Sequence, residues 1–236
     1  MGKRYRYFFV LALWMIASSV MGQQRKLQNQ PYADQRMFHL GFTVGLHTQD
    51  LILYHSGAAT PEGEVWFAEI PSYSPGFSAG LIADLYLNRF MHLRAIPTLL
   101  LGDKNFVFRE QESGEEFKTR LRNNYISVPV HLKLSADRIN NYKPYILLGG
   151  YGSLELAPQK NEPLLLKPYD YGIEIGIGCD FYLPLFKLCP ELKFSFGMRN
   201  VLEKDRSDLV QENLQKYPRS LSKATQRMIT LSFHFE

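Results

Sequence analysis

Residues 169–182 read Tyr-Asp-Tyr-Gly-Ile-Glu-Ile-Gly-Ile-Gly-Cys-Asp-Phe-Tyr and alternate between two kinds of side chain. The odd-numbered positions are aromatic or apolar, and the even-numbered positions before Tyr182 are glycine or acidic. Successive side chains of a β-strand point to opposite faces, so this period of two predicts a strand with one apolar face and one polar or small face. The strand is long, because strands of globular proteins average about 5–6 residues.

Seven further segments alternate in the same way, at residues 37–47, 77–87, 91–101, 124–135, 142–155, 187–200 and 226–236. Most contain ten or more residues, and a tilted strand needs about 9–11 residues to cross a bilayer. The connections alternate between short ones of about 3–6 residues and long ones of about 13–29 residues, which is typical of outer-membrane barrels with short periplasmic turns and long extracellular loops. The sequence therefore predicts an all-β fold, an eight-stranded antiparallel transmembrane β-barrel.

The beginning of the chain predicts export. Lys3, Arg4 and Arg6 precede an apolar run at residues 8–17 and a small-residue end at residues 20–22. This is the order of a secretory signal peptide, and the apolar run is shorter than the roughly 20 residues of a membrane-spanning helix. We therefore divide the chain into a signal peptide at residues 1–22, an N-terminal periplasmic segment at 23–36 and a barrel at 37–236. Both termini of the exported protein are expected in the periplasm of a bacterium, with the barrel in its outer membrane.

The leader also accounts for most of the net positive charge. It carries three basic residues and no acidic one, so its removal lowers the formal net charge from +4 to +1. A chain with so little excess charge offers no strong positive field to a polyanion. Nucleic acid is therefore not expected as a partner.

The polar strand faces predict the content of the barrel. Eight strands close around an interior that is just wide enough to be filled by side chains. Acidic and basic residues both occur on the predicted inner faces, and the candidates for a polar core in the lumen are Asp84, Arg94, His131, Lys133, Glu174, Asp180, Lys193 and Arg199. Charges of both signs can pair across the lumen, which favours a filled interior over an ion pathway.

One motif is typical of enzymes. Residues 76–80, Gly-Phe-Ser-Ala-Gly, match the G-x-S-x-G pattern, which requires a strand before the serine and a helix after it. Here a proline-containing loop precedes Ser78 and an alternating strand follows it, so we expect a structural serine and no catalytic residues. Because a few outer-membrane barrels are enzymes, Ser232 and His234 leave a lipid hydrolase open as the alternative.

The histidines and cysteines predict no cofactor or metal site. His39 and His234 lie in the first and last strands, which must pair to close the barrel, so they could be neighbours. Hydrogen-bonded lumen histidines explain them better than a metal site. Cys179 and Cys189 could be cross-strand neighbours or two free thiols, and the sequence leaves both possibilities open.

Six segments carry a resemblance to a known family, at residues 38–46, 75–81, 93–97, 125–130, 143–150 and 229–236. They are strand and glycine patterns, such as Phe-His-Leu-Gly-Phe-Thr-Val-Gly-Leu at 38–46, and they extend from about residue 37 to the end. Together they resemble the PorT-like outer-membrane β-barrel proteins of Bacteroidetes.

The resemblance implies a non-enzymatic component of the type IX secretion system, which exports proteases, adhesins and gliding proteins. Other secretion proteins and outer-membrane lipid or lipopolysaccharide are the expected partners, with contacts through long loops near 48–76, 102–123 and 201–225. A lipid-modifying hydrolase and a structural barrel with no role in secretion are the alternatives.

Overall fold

The computed structural model describes residues 28–57, 65–69, 74–111, 114–156, 165–203 and 220–236. The predicted signal peptide at 1–22 lies outside the described residues. Among the residues described, no helix is long and apolar enough to cross a membrane. The elements of these ranges are a short 3₁₀ helix (Ala33–Gln35) and the strands β1 (Phe38–His55), β2 (Trp66–Glu69), β3 (Pro75–Asn88), β4 (Met91–Ala95), β5 (Thr98–Glu110), β6 (Glu116–Ser135), β7 (Tyr142–Glu155), β8 (Tyr169–Tyr182), β9 (Lys187–Gly197) and β10 (Leu221–Phe235).

The strands close into a ring with antiparallel neighbours throughout. β1 pairs with β3 on one side and with β10 on the other, and β9, β8, β7 and β6 follow β10 in order. β4 and β5 form one interrupted strand between β3 and β6. The interruption lies at Ile96 and Pro97, and proline has no N–H to donate to a ladder. With β4 and β5 counted as one, the ring has eight strands, which confirms the predicted barrel.

The two ends of the barrel differ. At the turn end, short turns join β3 to β4, β6 to β7 and β8 to β9. At the opposite end, the loop end, several strands continue further than the sequence predicted. β1 runs to His55, and β5 and β6 form a continuous hairpin with a register from Thr98↔Ser127 to Arg109↔Glu116. The long loop predicted at 102–123 is therefore wrong, and the predicted loops at 48–76 and 201–225 each lose residues to β1 and β10.

The polarity of the two strand faces is inverted along these extended strands. On β5, Leu99 and Leu101 face outward near the start of the strand, and Arg109 takes the outward side near its end. The inward side chains near that end are Phe106 and Phe108, and both are 0% exposed. Lipid requires apolar residues outside, whereas water requires them inside. The change of solvent thus lies near residues 101–103 of β5.

Beyond this level the barrel continues as a water-exposed structure with its own hydrophobic core. We call it the loop-end extension, made of residues 48–55, 66–69, 102–110, 116–124 and 221–227 together with the loop ends at 165–167 and 201–203. Its buried core consists of Leu51, Trp66, Ala68, Phe106, Phe108, Leu166, Val201, Leu202, Leu221 and Ala224. β2 joins the extension by pairing with β5, and the ring of His55 bonds to the Ala68 backbone at 3.0 Å. Apolar packing therefore closes the loop end of the barrel.

The turn end is covered by the segment that precedes β1. The side chain of Asn29 donates a hydrogen bond to the carbonyl of Tyr182 at 3.0 Å. Arg138 donates to the carbonyls of Asn29 and Gln30, and its guanidinium lies 3.6 Å from the centroid of the Tyr182 ring. The Tyr182 hydroxyl donates in turn to Asp34. These bonds fasten the N-terminal segment to the turns.

Phe106→Ala should destabilise the loop-end extension by about 3–5 kcal/mol, because it removes a fully buried ring and leaves a cavity. Trypsin cleavage after Arg109 or Lys118 in the refolded protein measures how often the hairpin opens. Leu185→Ala, at a turn residue that is 92% exposed, is the control and should leave cleavage nearly unchanged. If Phe106→Ala and the unmodified protein are cut at equal rates, the extension has no cooperative core.

Candidate functional site in the barrel lumen

A buried arginine lies at the centre of the lumen near the turn end. Arg94 has no exposed surface, and its Nε donates to Oδ2 of Asp84 at 2.8 Å. One terminal amino group donates to Oε1 of Glu236 at 2.6 Å, and the other lies 3.8 Å from Oε2 of Glu191. Asp84 and Arg94 are directly opposite each other on β3 and β4, so the sheet register itself brings the pair together. One guanidinium thus links three carboxylates from different parts of the ring.

A lysine and a tyrosine continue this network across the lumen. Lys133 on β6 contacts both carboxylate oxygens of Asp180 on β8, at 2.8 and 2.7 Å. Its Nζ also lies 4.1 Å from the centroid of the Tyr145 ring, and the Tyr145 hydroxyl donates to Glu191 at 3.0 Å. Gly178 is directly opposite Tyr145, and a Cβ there would lie 2.4 Å from the ring. Glycine at 178 therefore makes room for the tyrosine inside the barrel.

A second centre forms around Glu174 in the middle of β8. His131 Nε2 and Lys193 Nζ lie 2.6 and 3.0 Å from Oε2 of Glu174. The hydroxyl of Ser195 donates to the other carboxylate oxygen at 2.6 Å. The four side chains come from β6, β8 and β9, and each points inward because it lies on the same alternate face of its strand.

Lysine and histidine side chains complete the pairing. Lys187 Nζ contacts Glu236 and lies 3.9 Å from Asp180, and His234 Nε2 lies 3.0 Å from Glu191. Buried carboxylates are tolerated when opposite charges and hydrogen bonds surround them, whereas loss of one partner leaves an uncompensated charge in a poorly solvated interior. The network is therefore suited to holding strands together, and its members constrain one another.

The space left between these side chains is small. A cavity of about 20 Å³ lies in mid-lumen, and a cavity needs roughly 10–15 Å³ to hold one water molecule. Its polar lining includes Ser78, Glu174, Lys193, Thr230, Ser232 and His234. At this level of the described barrel, side chains fill the lumen and no water-filled path is present.

The sequence matches the family described as "Outer membrane protein beta-barrel domain" over residues 22–203, more than three quarters of the chain. The chain belongs to this outer-membrane β-barrel family. It is an integral outer-membrane protein, and its apolar outward faces and closed strand ring are what such a location requires. A comparison with curated proteins gives no significant match.

Several solved structures of outer-membrane proteins are similar to this barrel at low identity. The attachment invasion locus protein Ail of Yersinia pestis, solved with the heparin analogue sucrose octasulfate, is 11% identical, and the match covers 85% of this chain and 99% of Ail at a TM-score of 0.38. Neisserial surface protein A is 9% identical, with coverages of 84% and 98% and a TM-score of 0.40. OprG of Pseudomonas aeruginosa is 12% identical, with coverages of 84% and 92% and a TM-score of 0.41.

Seven of the eight residues proposed for the polar core are buried inside this outer-membrane barrel, namely Asp84, Arg94, His131, Lys133, Glu174, Asp180 and Lys193. Arg199 is the exception, and its placement in the lumen is corrected. β9 ends at Gly197, so the alternation that would direct Arg199 inward stops before it. Its guanidinium lies 3.8 Å from the centroid of Tyr169, which belongs to the outward-facing set.

The sequence analysis missed several members of the lumen network. Lys187 and Glu191 lie at the same alternate positions of β9 as Lys193, so the period of two could have identified them. The hydroxyl of Tyr145 points into the lumen. It was missed because tyrosine was counted among the apolar and aromatic residues of its strand. Glu236 follows β10, and only the register of the closed ring reveals that it reaches Arg94.

The residues considered for other chemistry occupy ordinary barrel positions. Ser78 lies inside β3 and is buried, and it is not on a strand-to-helix turn. His39 is opposite Asp84, whereas His234 is opposite Thr43, so the two histidines are not direct cross-strand neighbours as suggested.

The two cysteines are free thiols. Cys189 is fully buried in the lumen. Cys179 shares the alternate face of Ile175 and Ile177, which point away from the lumen. Because the two sulfur atoms belong to opposite faces of the barrel wall, a disulfide between them is ruled out by the register.

Arg94→Met should destabilise the barrel by about 3–5 kcal/mol, because it leaves the carboxylates of Asp84 and Glu236 buried without their partner. Urea unfolding in lipid vesicles, followed by the heat-dependent shift in gel mobility, measures the effect. The control is Arg89→Met, whose ion pair with Asp137 has side chains 74% and 60% exposed, and which should change stability by less than about 1 kcal/mol. Equal effects of the two substitutions would show that the lumen network does not hold the barrel together.

Proposed function

We propose that this protein supports type IX protein secretion as a non-enzymatic and non-conducting component of the outer membrane. The turn end faces the periplasm and the loop-end extension faces the outside, as is general for barrels with short turns on one side. The filled lumen is the observation that supports a non-conducting role. Within the described residues, paired charges fill the barrel, the N-terminal segment covers its turn end and an apolar core fills its loop end. These residues therefore offer surfaces to partners and leave no path for a cargo among them.

The loop-end extension offers a surface suited to partners. Its hairpin exposes charges of both signs, with Arg109 bonded to Glu116 at 2.7 Å and Lys118 at 3.4 Å from the same carboxylate. Hydrogen bonds from Arg109 and Lys118 lower the pKa of Glu116. Arg120 pairs with Asp103 next to them. Such a mixed, ordered charge pattern selects partners by complementarity, and both other secretion proteins and lipopolysaccharide headgroups carry charges that can meet it.

The secretion assignment itself rests on the sequence resemblance to PorT-like proteins of Bacteroidetes. The resembling segments at 38–46, 125–130 and 229–236 fall on β1, β6 and β10. They therefore describe the wall of the barrel, and the hairpin at 102–123 lies outside them. The resemblance therefore supports the type of barrel most directly. The role in secretion is inferred from the function of the PorT-like proteins that these segments resemble.

Deletion of the gene in the source bacterium should reduce the export of several unrelated cargo proteins, which should then accumulate in the periplasm. Quantitative mass spectrometry of culture medium and periplasm measures both changes. The unmodified gene should restore export. A gene encoding Arg109→Glu and Lys118→Glu should restore it less well than one encoding Arg89→Glu, if partners bind the hairpin. Normal export in the deletion strain would refute the proposed role.

A lipid hydrolase is the competing function, because Ser78, Ser232 and His234 line one cavity. We favour the non-enzymatic role, since a cavity of about 20 Å³ is too small for an acyl chain or a headgroup. Mass spectrometry of lipid A and phospholipids decides between them. We expect identical lipid profiles from cells with the unmodified protein and with Ser78→Ala or Ser232→Ala, and a profile altered by either substitution would favour the hydrolase.

A further inference from the structure

Three side chains with metal-binding atoms converge at the turn end of the lumen. His39 of β1, Asp84 of β3 and His92 of β4 each offer one such atom, and these atoms all lie within 4.8 Å of one another. His39 is directly opposite Asp84, and the tight β3–β4 turn brings His92 to the other side of the same carboxylate. Asp84 and His92 are buried, and His39 is half-buried.

One ring nitrogen of His39, Nδ1, has no hydrogen-bond partner within the part of the chain that the structure describes. Its Nε2 lies 2.8 Å from the carbonyl oxygen of Ala33, and because a carbonyl can only accept, Nε2 carries the proton. In the neutral imidazole Nδ1 then has a free lone pair, and this atom is buried with no hydrogen-bond partner among the described residues. An imidazole whose N–H is held by a backbone carbonyl is the arrangement that orients histidine ligands at metal sites.

The carboxylate of Asp84 is held in a similar way. Its Oδ2 accepts the hydrogen bond from Arg94, and its Oδ1 accepts one of 2.7 Å from Nδ1 of His92, which a metal ion bound between the two residues would replace. One oxygen is thus anchored and the other faces the histidines. The positive charge of Arg94, which lies next to the cluster, is partly compensated because Glu236 accepts a hydrogen bond from the same guanidinium.

We propose that His39, Asp84 and His92 bind a zinc ion at the turn end of the barrel. Two imidazole nitrogens and one carboxylate oxygen are a typical zinc donor set, with water at a fourth position. Magnesium and calcium prefer sites made of oxygen alone, so they should compete poorly. Zinc ligands lie about 2.0–2.2 Å from the ion, so the half-buried ring of His39 would have to move toward Asp84 together with the Ala33 carbonyl that it contacts.

Zinc at this position would fasten the N-terminal segment to the barrel. The carbonyl that orients His39 belongs to Ala33, in the 3₁₀ helix that precedes β1. A ligand that binds only the folded arrangement stabilises it. The bound ion should therefore protect the chain next to this helix, including the exposed Arg36, from trypsin.

The test uses the full mature chain refolded in detergent or lipid vesicles. Calorimetric titration with zinc chloride should give one site per chain, and cobalt(II) should give the visible absorption of a tetrahedral complex. His39→Gln and His92→Gln should weaken zinc binding at least tenfold and abolish the cobalt absorption. His55→Gln is the control, because His55 lies at the other end of the barrel and bonds to the Ala68 backbone. Tenfold excess magnesium should leave zinc binding unchanged.

The heat-dependent gel shift confirms that each variant is folded, and His39→Gln, at a half-buried position, provides the reading if His92→Gln fails to fold. Zinc should slow cleavage after Arg36 in the unmodified protein and in His55→Gln, and should have no effect in His39→Gln. Absence of zinc binding by the folded unmodified protein, or equal binding by folded His39→Gln, would overturn the proposal.

Discussion

The closure of the strand ring is the constraint on which the rest of this protein depends. Within the hydrocarbon core of a bilayer no water is present to bond with backbone groups, so a sheet that crosses it must have no free edge. The pairing of β1 with both β10 and β3 removes that edge. Closure with eight strands also fixes the width of the interior, which side chains can fill but through which little else can pass. Most of the charged residues described in the lumen are buried, and pairing with opposite charges stabilises them there.

The same strands pass from lipid into water, and the level at which the polarity of their inward and outward faces reverses marks the boundary between the two. On the outward face of β6, Val128 and Val130 lie in the half toward the turn end, and Lys118 and Arg120 lie in the half toward the loop end. On the inward side of β6, Phe117 packs against the apolar core around Phe106. A strand that only crossed a membrane would not need this second core. The extension is therefore a water-exposed sheet built on the barrel wall, and an apolar core fills it in place of the charged network below.

Local alternation was enough to predict the ring of eight strands, because each membrane-crossing segment carries its own pattern. The segments 142–155 and 169–182 coincide with β7 and β8. The hairpin at 102–123 was missed since its apolar residues face inward, the reverse of the pattern used to identify a membrane strand. The partners inside the lumen depend on register, which is a property of strand pairs. The separation of His39 from His234 and the approach of Glu236 to Arg94 arise only when the ring is closed.

The N-terminal segment and the charged network of the lumen are joined by side chains at the turn end of the barrel. Asp34 in the N-terminal segment accepts a hydrogen bond from Tyr182, whose neighbour Asp180 is bound by Lys133 deep in the lumen. Lys133 lies against Tyr145, which reaches Glu191 and through it the group around Arg94. Because each of these charged groups is buried, a change that displaces one of them either displaces its partner or leaves that partner without a compensating charge. These contacts fix the geometry of the turn end in advance, so a partner that binds there requires little additional ordering of the barrel.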